Sequence, residues 1–217
     1  MENILESLSK LSTPTISDAL DKLGINGNTA YGIKPLDRSF RMIGRAYTVK
    51  YGPVGVKRGT VGDYIDDVPP GSIVVLDNNG RQDCTVWGDI LTTMSSIRKI
   101  GGTLIYGVNR DSARSLELNY PIFSLNTFMR TGKDRVQVES VNQPVTVGEI
   151  RVSPGDIVVG DADGVVVIPK EREQEVLETA LSIEMAEEHI RQTIEQGSRL
   201  DEARKQFGYH NLQHKER

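Results

Sequence analysis

Two short motifs contain the residue types best suited to chemistry in this sequence. The first is Gly88-Asp89-Ile90-Leu91, and the second, Asn109-Arg110-Asp111, begins after a further seventeen residues. The first motif opens a predicted helix, whose free backbone N–H groups at residues 89 to 91 form a site for an anion. The second motif follows a predicted buried strand, and open α/β sheets bind ligands at the carboxyl ends of such strands. Together the motifs predict one ligand site.

Three charged side chains in these motifs suit the binding of a carboxylate and a divalent cation. Arg110 has a planar guanidinium that can hold a carboxylate through two parallel hydrogen bonds. Asp89 and Asp111 supply hard oxygen ligands for a cation such as Mg²⁺. Structural interpretations are also open, because Asp89 can favour the helix dipole, Asp111 can cap the following helix and Arg110 can pair with a surface carboxylate. The residue types alone do not decide between these interpretations.

The remaining candidate motifs favour structural roles. Asp161-Ala162-Asp163-Gly164 has too few ligands for a calcium loop and is predicted to be a turn. The glycine-rich stretch over residues 52–59 lacks the Gly-Lys-Ser/Thr sequence of a phosphate-binding loop. Every histidine lies at or beyond His189, which argues against a Ser–His–Asp site in the core. Cys84 is predicted to be a buried, unreactive thiol.

Composition places the chain among globular proteins. Its 217 residues are 37% hydrophobic and 26% charged, which suits one domain with a full core. A net charge of −4 gives no electrostatic footprint for duplex nucleic acid, and the single cysteine excludes multi-cysteine zinc sites. We expect a cytoplasmic protein without a membrane partner, because no apolar run could span a bilayer and Met1-Glu2-Asn3 lacks signal-peptide features.

Residue periodicity predicts the elements that must position the motifs. An apolar face from Ile4 to Leu11 predicts a first helix, and Thr13 is the predicted N-cap of a second helix that ends at Gly24. A strand begins at Met42. A helix is predicted over residues 86–100, with Trp87, Leu91, Met94 and Ile97 on its buried face. Strands are predicted over residues 103–108, 121–125 and 164–169, and a short helix is predicted to begin near Ser112. Apolar positions from Val176 to Ile194 predict a long helix, followed by a helical piece to Phe207.

The sequence also contains an internal repeat, in which residues 68–80 match residues 152–164 without gaps. Each copy has a Pro-Gly turn, an Ile-Val-Val run and an Asp-containing turn. Because the apolar run is continuous, both faces of each strand are predicted to be covered. We expect two equivalent strands in one β-rich core, although a Pro-Gly turn before Ile-Val-Val is also a common local solution.

Trp87-Gly88-Asp89-Ile90-Leu91, with twenty residues separating Asp89 from Arg110-Asp111, resembles the signature of the 4-hydroxy-4-methyl-2-oxoglutarate aldolases. These enzymes are grouped with the regulator of ribonuclease activity A (RraA-like) proteins. Thr85 departs from the pattern, because the family motif often has glycine at that position. Supporting matches extend along nearly the whole chain: Ser17–Leu20, Tyr106-Gly107, Pro121–Phe123 and Gly160–Pro169.

The resemblance implies an α/β fold with a β/β/α core of the phosphohistidine swivelling-domain type, N-terminal helices and a long C-terminal helix. A single RraA-like domain is expected over residues 1–207, followed by a polar tail over 208–217. The resemblance further implies homotrimers, sometimes paired as hexamers, with sites near subunit interfaces.

The resemblance also implies a reaction. The family cleaves 4-hydroxy-2-oxo acids of the 4-hydroxy-4-methyl-2-oxoglutarate type to pyruvate with Mg²⁺ or Mn²⁺, and commonly decarboxylates oxaloacetate. By this resemblance Arg110 holds the substrate carboxylate, Asp111 binds the metal, Asp89 orders a metal-bound water and the backbone of residues 88–91 contacts substrate. Relatives that lack the second aspartate are non-catalytic inhibitors of ribonuclease E. This chain has both aspartates, and the regulator remains the alternative function.

General chemistry agrees with the catalytic interpretation. Breaking a carbon–carbon bond beside a 2-oxo acid leaves the enolate of pyruvate, whose charge a divalent cation stabilises as a Lewis acid. Arg110 and the helix N–H groups can stabilise the carboxylate without moving. Aldol cleavage and β-decarboxylation give the same enolate, so one site can catalyse both. The motifs contain no lysine and therefore give no indication of a Schiff base.

Overall fold

The structure, a computed structural model, describes residues 4–25, 30–56 and 59–209. The helices of these segments are α1 (Ile4–Ser9), α2 (Thr13–Lys22), α3 (Asp89–Ile97), α4 (Ser112–Glu117), α5 (Glu173–Glu195) and α6 (Leu200–Gln206). The strands are β1 (Lys34–Pro35), β2 (Met42–Pro53), β3 (Ile73–Asp77), β4 (Gly102–Asn109), β5 (Ile122–Thr127), β6 (Val136–Val141), β7 (Val145–Val147), β8 (Ile150–Val152), β9 (Ile157–Gly160) and β10 (Val165–Ile168). A 3-10 helix covers Asp63–Asp67. None of the helices in these segments is long and apolar enough to cross a membrane.

A mixed eight-stranded sheet forms the frame of the fold. Its strand order is β1-β5-β4-β3-β2-β9-β10, with β6 also paired to β2. The neighbours from β2 through β5 are parallel, and α3 and α4 form the crossover connections from β3 to β4 and from β4 to β5. The Ala30 N–H, just before β1, donates a 3.0 Å hydrogen bond to the Val165 carbonyl at the other end of this order. The sheet is therefore a nearly closed, barrel-like structure, with the long helix α5 packed outside it.

Both faces of the central strands are buried, as their continuous apolar runs predict. In β3, Ile73 and Val75 belong to one core cluster that also includes residues of β7 to β10. Val74 and Leu76 belong to a second cluster, which packs against α3. Successive side chains along a strand point to opposite faces of the sheet, which places neighbouring residues in different clusters. Because both faces of β3 are covered, every position in its Ile-Val-Val run is apolar.

The two copies of the internal repeat form β3 and β9. Each copy turns at a glycine with positive φ, Gly71 at 77° and Gly155 at 89°, a conformation that costs glycine little. Both strands then pair with β2, but β3 runs parallel to it and β9 runs antiparallel. The prediction of equivalent turns and buried strands in one core is confirmed, and their directions relative to β2 are opposite.

The N-terminal helices and α5 pack together over β9 and β10. The predicted cap of α2 is wrong by one residue, because Ser12 is the N-cap and its hydroxyl accepts the Thr15 N–H at 3.2 Å. Thr13 instead donates its N–H and its hydroxyl to the buried Asp161 carboxylate, at 2.8 and 2.7 Å. Asp161 is thus the structural turn residue that its sequence predicts.

The helix predicted over residues 86–100 is shorter than expected. Gly88 has an extended backbone, with φ −146° and ψ −168°, so α3 begins only at Asp89. The residues of α3 that are buried are Thr92 and Ser95, and Ile97 is 72% exposed. Trp87 is buried and Leu91 and Met94 pack on the core, as predicted, but the prediction that Ile97 lies on the buried face is wrong, because Ile97 lies at the exposed end of α3.

The C-terminal predictions are only partly covered by the structure. Val176, Ala180, Ile183 and Ile190 are buried along α5, as predicted, whereas Ile194 at its end is 37% exposed. The described residues end at 209, so most of the predicted tail over 208–217 lies outside them. The swivelling-domain arrangement and the domain boundary at residue 207 stay predictions.

Candidate active site

The two sequence motifs meet where β4 ends and α3 begins. The Arg110 N–H donates a 3.0 Å hydrogen bond to the Trp87 carbonyl, which joins the chain after β4 to the chain before α3. This contact brings Arg110 and Asp111 beside Gly88 and Asp89. The predicted juxtaposition at the carboxyl end of a parallel strand is confirmed.

The Asp111 carboxylate is the centre of the contacts between the motifs. Its Oδ2 accepts the Asp89 N–H at 3.2 Å and lies 3.2 Å from the Arg110 Nε. The Arg110 and Asp111 side chains remain 38% and 40% exposed, and Asp89 is exposed. The charged groups are therefore held near one another while still accessible to a ligand.

Asp111 also has an unusual backbone conformation. Asp111 has φ 56° and ψ 40°, a left-handed conformation that non-glycine residues adopt infrequently and that often marks functional sites. It occupies the N-cap position of α4, but within the described chain its side chain makes no capping hydrogen bond. The alternative that Asp111 is present as a helix cap is therefore not supported by its contacts.

Gly88 makes the approach of these side chains possible. A Cβ atom at this position would lie 2.7 Å from the Asp111 Oδ2 and 3.2 Å from the Arg110 Nε. Because 2.7 Å is closer than a carbon and an oxygen can pack, any side chain here would displace the carboxylate. The glycine is required for close approach and not for unusual dihedral angles.

The helix N-terminus is partly occupied by the protein's own carboxylate. The sequence predicted free N–H donors at residues 89 to 91, and the Asp89 N–H is instead bound by Asp111. The N–H groups of Ile90 and Leu91, in the first turn of α3, have no intrahelical acceptor. Two of the three predicted donors thus remain suited to a substrate anion.

Two hydrogen bonds around Trp87 hold the start of α3 in place. The Trp87 indole N–H donates to the Thr92 hydroxyl at 2.9 Å, and that hydroxyl donates to the Gly88 carbonyl at 3.0 Å. The Trp87 ring stacks on Tyr120, with ring centres 6.1 Å apart. These contacts therefore hold the Trp87 carbonyl in the position where it accepts the Arg110 N–H.

Thr85, which departs from the aligned motif, also supports this loop. Its buried hydroxyl accepts the Trp87 N–H at 3.1 Å and lies 2.8 Å from the Trp87 carbonyl and 2.9 Å from the Val108 carbonyl, so its one hydrogen is shared between these two acceptors. The side chain therefore ties the approach to α3 to the end of β4. The departure from the motif adds a connection between the two elements and disrupts neither.

A pocket of about 680 Å³ opens beside the motifs. Gly88, Asp89, Ile90, Leu91 and Arg110 line it, together with segments that the sequence analysis did not assign to the site. Those segments are residues 59–63 and 65–66, around the 3-10 helix, and residues 131–134. No spacing pattern could have identified them, because they reach the pocket through loops and not through neighbouring strand ends.

The comparison with known proteins agrees with this geometry. The family model described as "RraA-like: Aldolase/RraA" matches residues 13–167, which include both motifs. The chain belongs to the RraA-like family.

Individual relatives extend the comparison. "Protein DlpA" of Legionella pneumophila is 41% identical over 213 residues, which cover 96% of this chain and 34% of DlpA, so the chain spans about a third of that relative. A protein of Halalkalibacterium halodurans named "Putative 4-hydroxy-4-methyl-2-oxoglutarate aldolase" is 37% identical over 175 residues, or 78% of each chain. The structure of RraAS2 from Streptomyces coelicolor, titled an unusual member of the RNase ES inhibitor RraA protein family, matches with a TM-score of 0.80 and 28% identity. It covers 88% of this chain and 96% of RraAS2, and its fold is shared.

The donor set of this RraA-like site fits a hydrated Mg²⁺ or Mn²⁺. Asp89 and Asp111 offer carboxylate oxygens, and no group of three or more His, Cys, Asp or Glu residues in the described segments could hold a metal. Mg²⁺ is usually bound by one or two carboxylates and keeps several waters. Two accessible carboxylates beside an open pocket match that requirement, and they do not match a metal held by protein ligands alone.

The other candidate residues remain structural. Cys84 is fully buried, and desolvation raises the pKa of its thiol, which keeps it protonated and unreactive. The His189 ring stacks on Phe207 at the C-terminal helices, away from both motifs. The histidines at 210 and 214 lie outside the described residues.

Proposed function

We propose that this protein is a divalent-metal-dependent lyase, a class II pyruvate aldolase, that cleaves a 4-hydroxy-2-oxo acid to pyruvate and decarboxylates oxaloacetate. One observation carries this proposal: Asp89, Arg110 and Asp111 converge at the N-terminus of α3 beside a 680 Å³ pocket. The relatives named as aldolases support a lyase role for the family.

Arg110 and the start of α3 bind the carboxylate of the 2-oxo acid. The guanidinium offers two parallel hydrogen bonds, and the N–H groups of Ile90 and Leu91 add donors with the positive end of the helix dipole. Because the Arg110 backbone is fixed to Trp87, these donors are placed before the substrate arrives. Such preorganised donors stabilise developing negative charge without reorganisation.

Asp111 would hold the divalent metal, and Asp89 would position a water molecule beside the C4 hydroxyl group of the substrate. When bound, the metal supplies Lewis acidity toward the 2-oxo group. The water near Asp89 accepts the C4 hydroxyl proton as the C3–C4 bond breaks, and the electron pair remains on C3 as the enolate. Protonation of C3 gives pyruvate. With oxaloacetate, the same bond breaks and carbon dioxide leaves.

We also propose that the protein assembles as a homotrimer or as paired trimers. Apolar side chains near the site support an interface there, since Ile90 is 80% exposed, Ile97 72% and Leu116 49%. Exposed apolar groups clustered on neighbouring helices mark interaction surfaces. Light scattering should give a mass that is a multiple of three chains, and a monomer at micromolar concentration would contradict this proposal.

A non-catalytic regulator of a ribonuclease is the second candidate function, favoured by the similarity to RraAS2. One assay separates the two candidates. Pyruvate release is measured with a panel of 4-hydroxy-2-oxo acids and oxaloacetate, with and without Mg²⁺ or Mn²⁺. Metal-dependent pyruvate release supports the lyase. If none of the substrates releases pyruvate, and the protein binds and inhibits ribonuclease E, the regulator is correct.

A further inference from the structure

Asn109 belongs to the second motif, and the proposed reaction gives it no role. It is the last residue of β4 and is fully buried, whereas Arg110 and Asp111, which follow it, are partly exposed. A buried primary amide loses its hydration and must recover that loss through hydrogen bonds within the protein. The contacts of the Asn109 side chain therefore indicate why an amide is present at this position.

The Asn109 amide connects the end of β4 to two other elements. Its Nδ2 donates to the Ser112 Oγ at 3.3 Å, and Ser112 is the first residue of α4. Its Oδ1 accepts the hydroxyl of Ser124, on β5, at 2.9 Å. The Ser124 hydrogen is shared with the Asn126 carbonyl, which lies 3.0 Å away. The side chain thus ties β4 to α4 on one side and to β5 on the other.

The contact between Asn109 and Ser112 spans Arg110 and Asp111. These two residues lie between the bonded pair in the chain, so their backbone is held at both ends of a four-residue turn. Asp111 has its left-handed conformation, at φ 56°, within this turn. Such a conformation in a non-glycine residue persists only where the surrounding structure imposes it. The bridge from Asn109 to Ser112 supplies part of that constraint.

The backbone of Asn109 makes a separate connection to the pocket. Its carbonyl accepts the Phe128 N–H at 2.9 Å, just before the segment 131–134 that lines the pocket. Replacing the side chain leaves this carbonyl in place. A substitution at residue 109 therefore tests the amide contacts and not the attachment of the neighbouring segment.

We propose that Asn109 is a positioning residue, whose buried amide holds Arg110 and Asp111 in the geometry that metal and substrate binding require. This inference rests on the proposed function and adds to it a residue that acts only through its neighbours. Partners that orient a metal ligand from behind commonly change metal affinity or activity by about 10- to 100-fold when they are removed. Small displacements of positioned groups also have large effects on rate.

The test measures two quantities for each folded variant. One is kcat/KM for pyruvate release with Mg²⁺, and the other is the dissociation constant of Mn²⁺ alone, followed by electron paramagnetic resonance without substrate. Asn109→Ala removes both amide contacts, and we expect kcat/KM to fall by about 10- to 100-fold and Mn²⁺ binding to weaken. Urea unfolding verifies that the variant is folded under the conditions of both measurements.

Substitutions at Ser112 isolate the bridge across the pair. Ser112→Ala removes the hydroxyl at a helix start where alanine is well tolerated, so this variant keeps the test decisive even if Asn109→Ala does not fold. We expect it to lower kcat/KM and Mn²⁺ affinity by about three- to tenfold, the equivalent of one lost hydrogen bond. Ser112→Thr retains a hydroxyl and should restore values near those of the wild type.

Ser115→Ala is the matched control on the same helix. The Ser115 hydroxyl is fully buried and donates to the Tyr120 carbonyl at 2.6 Å, at the other end of α4. Its loss should lower the free energy of unfolding and leave kcat/KM and Mn²⁺ affinity unchanged. Equal losses of function in Ser115→Ala and Ser112→Ala would overturn the inference, because a general loss of stability would then explain both.

The outcomes separate this inference from the proposed function. Wild-type kcat/KM and Mn²⁺ affinity in Ser112→Ala, or in a folded Asn109→Ala, would overturn the inference and leave the lyase proposal intact. If the wild type binds Mn²⁺ but releases no pyruvate, the lyase proposal fails, and weaker Mn²⁺ binding in the two alanine variants would still support the positioning of Asp111. If the wild type neither binds Mn²⁺ nor releases pyruvate, both fail.

Discussion

Replacing Gly88 with alanine should inactivate the site without unfolding the protein. The new Cβ would lie 2.7 Å from the Asp111 Oδ2, so the carboxylate must leave its contacts with the Asp89 N–H and the Arg110 guanidinium. The backbone at Gly88 is extended, a conformation that alanine adopts readily. The displaced side chains are partly exposed and can rotate into solvent.

The size of each effect follows from these contacts. A displaced, partly exposed side chain and a changed cap should cost about 1 kcal/mol of unfolding free energy or less. Misplacing one preorganised charged group in an active site costs about 2–4 kcal/mol in transition-state stabilisation. This corresponds to a loss in kcat/KM of about 30- to 1000-fold.

The assay is pyruvate release at saturating Mg²⁺, with urea unfolding measured on the same protein. Gly88→Ala is also introduced into Asp111→Ala, and the free energies of unfolding complete a double-mutant cycle, because Asp111→Ala itself is expected to be inactive. Because the alanine acts mainly by displacing Asp111, it should have little further effect in that background. A folded Gly88→Ala protein with wild-type kcat/KM would refute the claim that the convergence at Gly88 is catalytic.

Three further predictions follow. Arg110→Lys retains the charge but not the planar fork, so kcat/KM should fall by about 2–4 kcal/mol for aldol cleavage and oxaloacetate decarboxylation alike; near-wild-type rates would make Arg110 a surface ion-pair residue. Light scattering should report a trimer or a hexamer, as proposed above, whatever the activity of the sample. Burial raises the pKa of Asp161, but hydrogen bonds from the Thr13 N–H and hydroxyl outweigh it and lower the pKa overall. Asp161→Asn should therefore lower the free energy of unfolding by about 1–3 kcal/mol at neutral pH. The difference from wild type should shrink as the pH falls below the ordinary aspartate pKa of about 3.9, because the wild-type carboxylate is then protonated. A difference that does not change with pH in urea titrations would contradict this.

Local patterns were sufficient to predict most of the elements and the meeting of the two motifs. The Ile-Val-Val runs predicted strands buried on both faces because a strand alternates its side chains and neither face could be polar. The sequence predicted that Asp89 lies close to Arg110 and Asp111, because the start of the helix and the end of the strand fall at the same edge of a parallel sheet.

The remaining features depend on tertiary contacts that have no local signature. The left-handed backbone of Asp111 and the close approach at Gly88 arise only once β4 and α3 meet. The spacing that correctly predicts Leu91 and Met94 against the core also predicts a buried Ile97, but α3 ends at Ile97 and this side chain is exposed. The pocket residues around Val61 belong to a loop whose distance along the chain from the motifs gave no indication of contact.

The dependence of pyruvate release on a divalent metal tests the central claim most directly. Protein treated with a chelator is assayed before and after addition of Mg²⁺ or Mn²⁺, in parallel with Asp111→Ala. We predict that the chelated protein is inactive, that either metal restores pyruvate release, and that Asp111→Ala stays inactive although it remains folded. Full activity in the chelator, or full activity of Asp111→Ala, would contradict a metal-dependent lyase built on Asp89, Arg110 and Asp111.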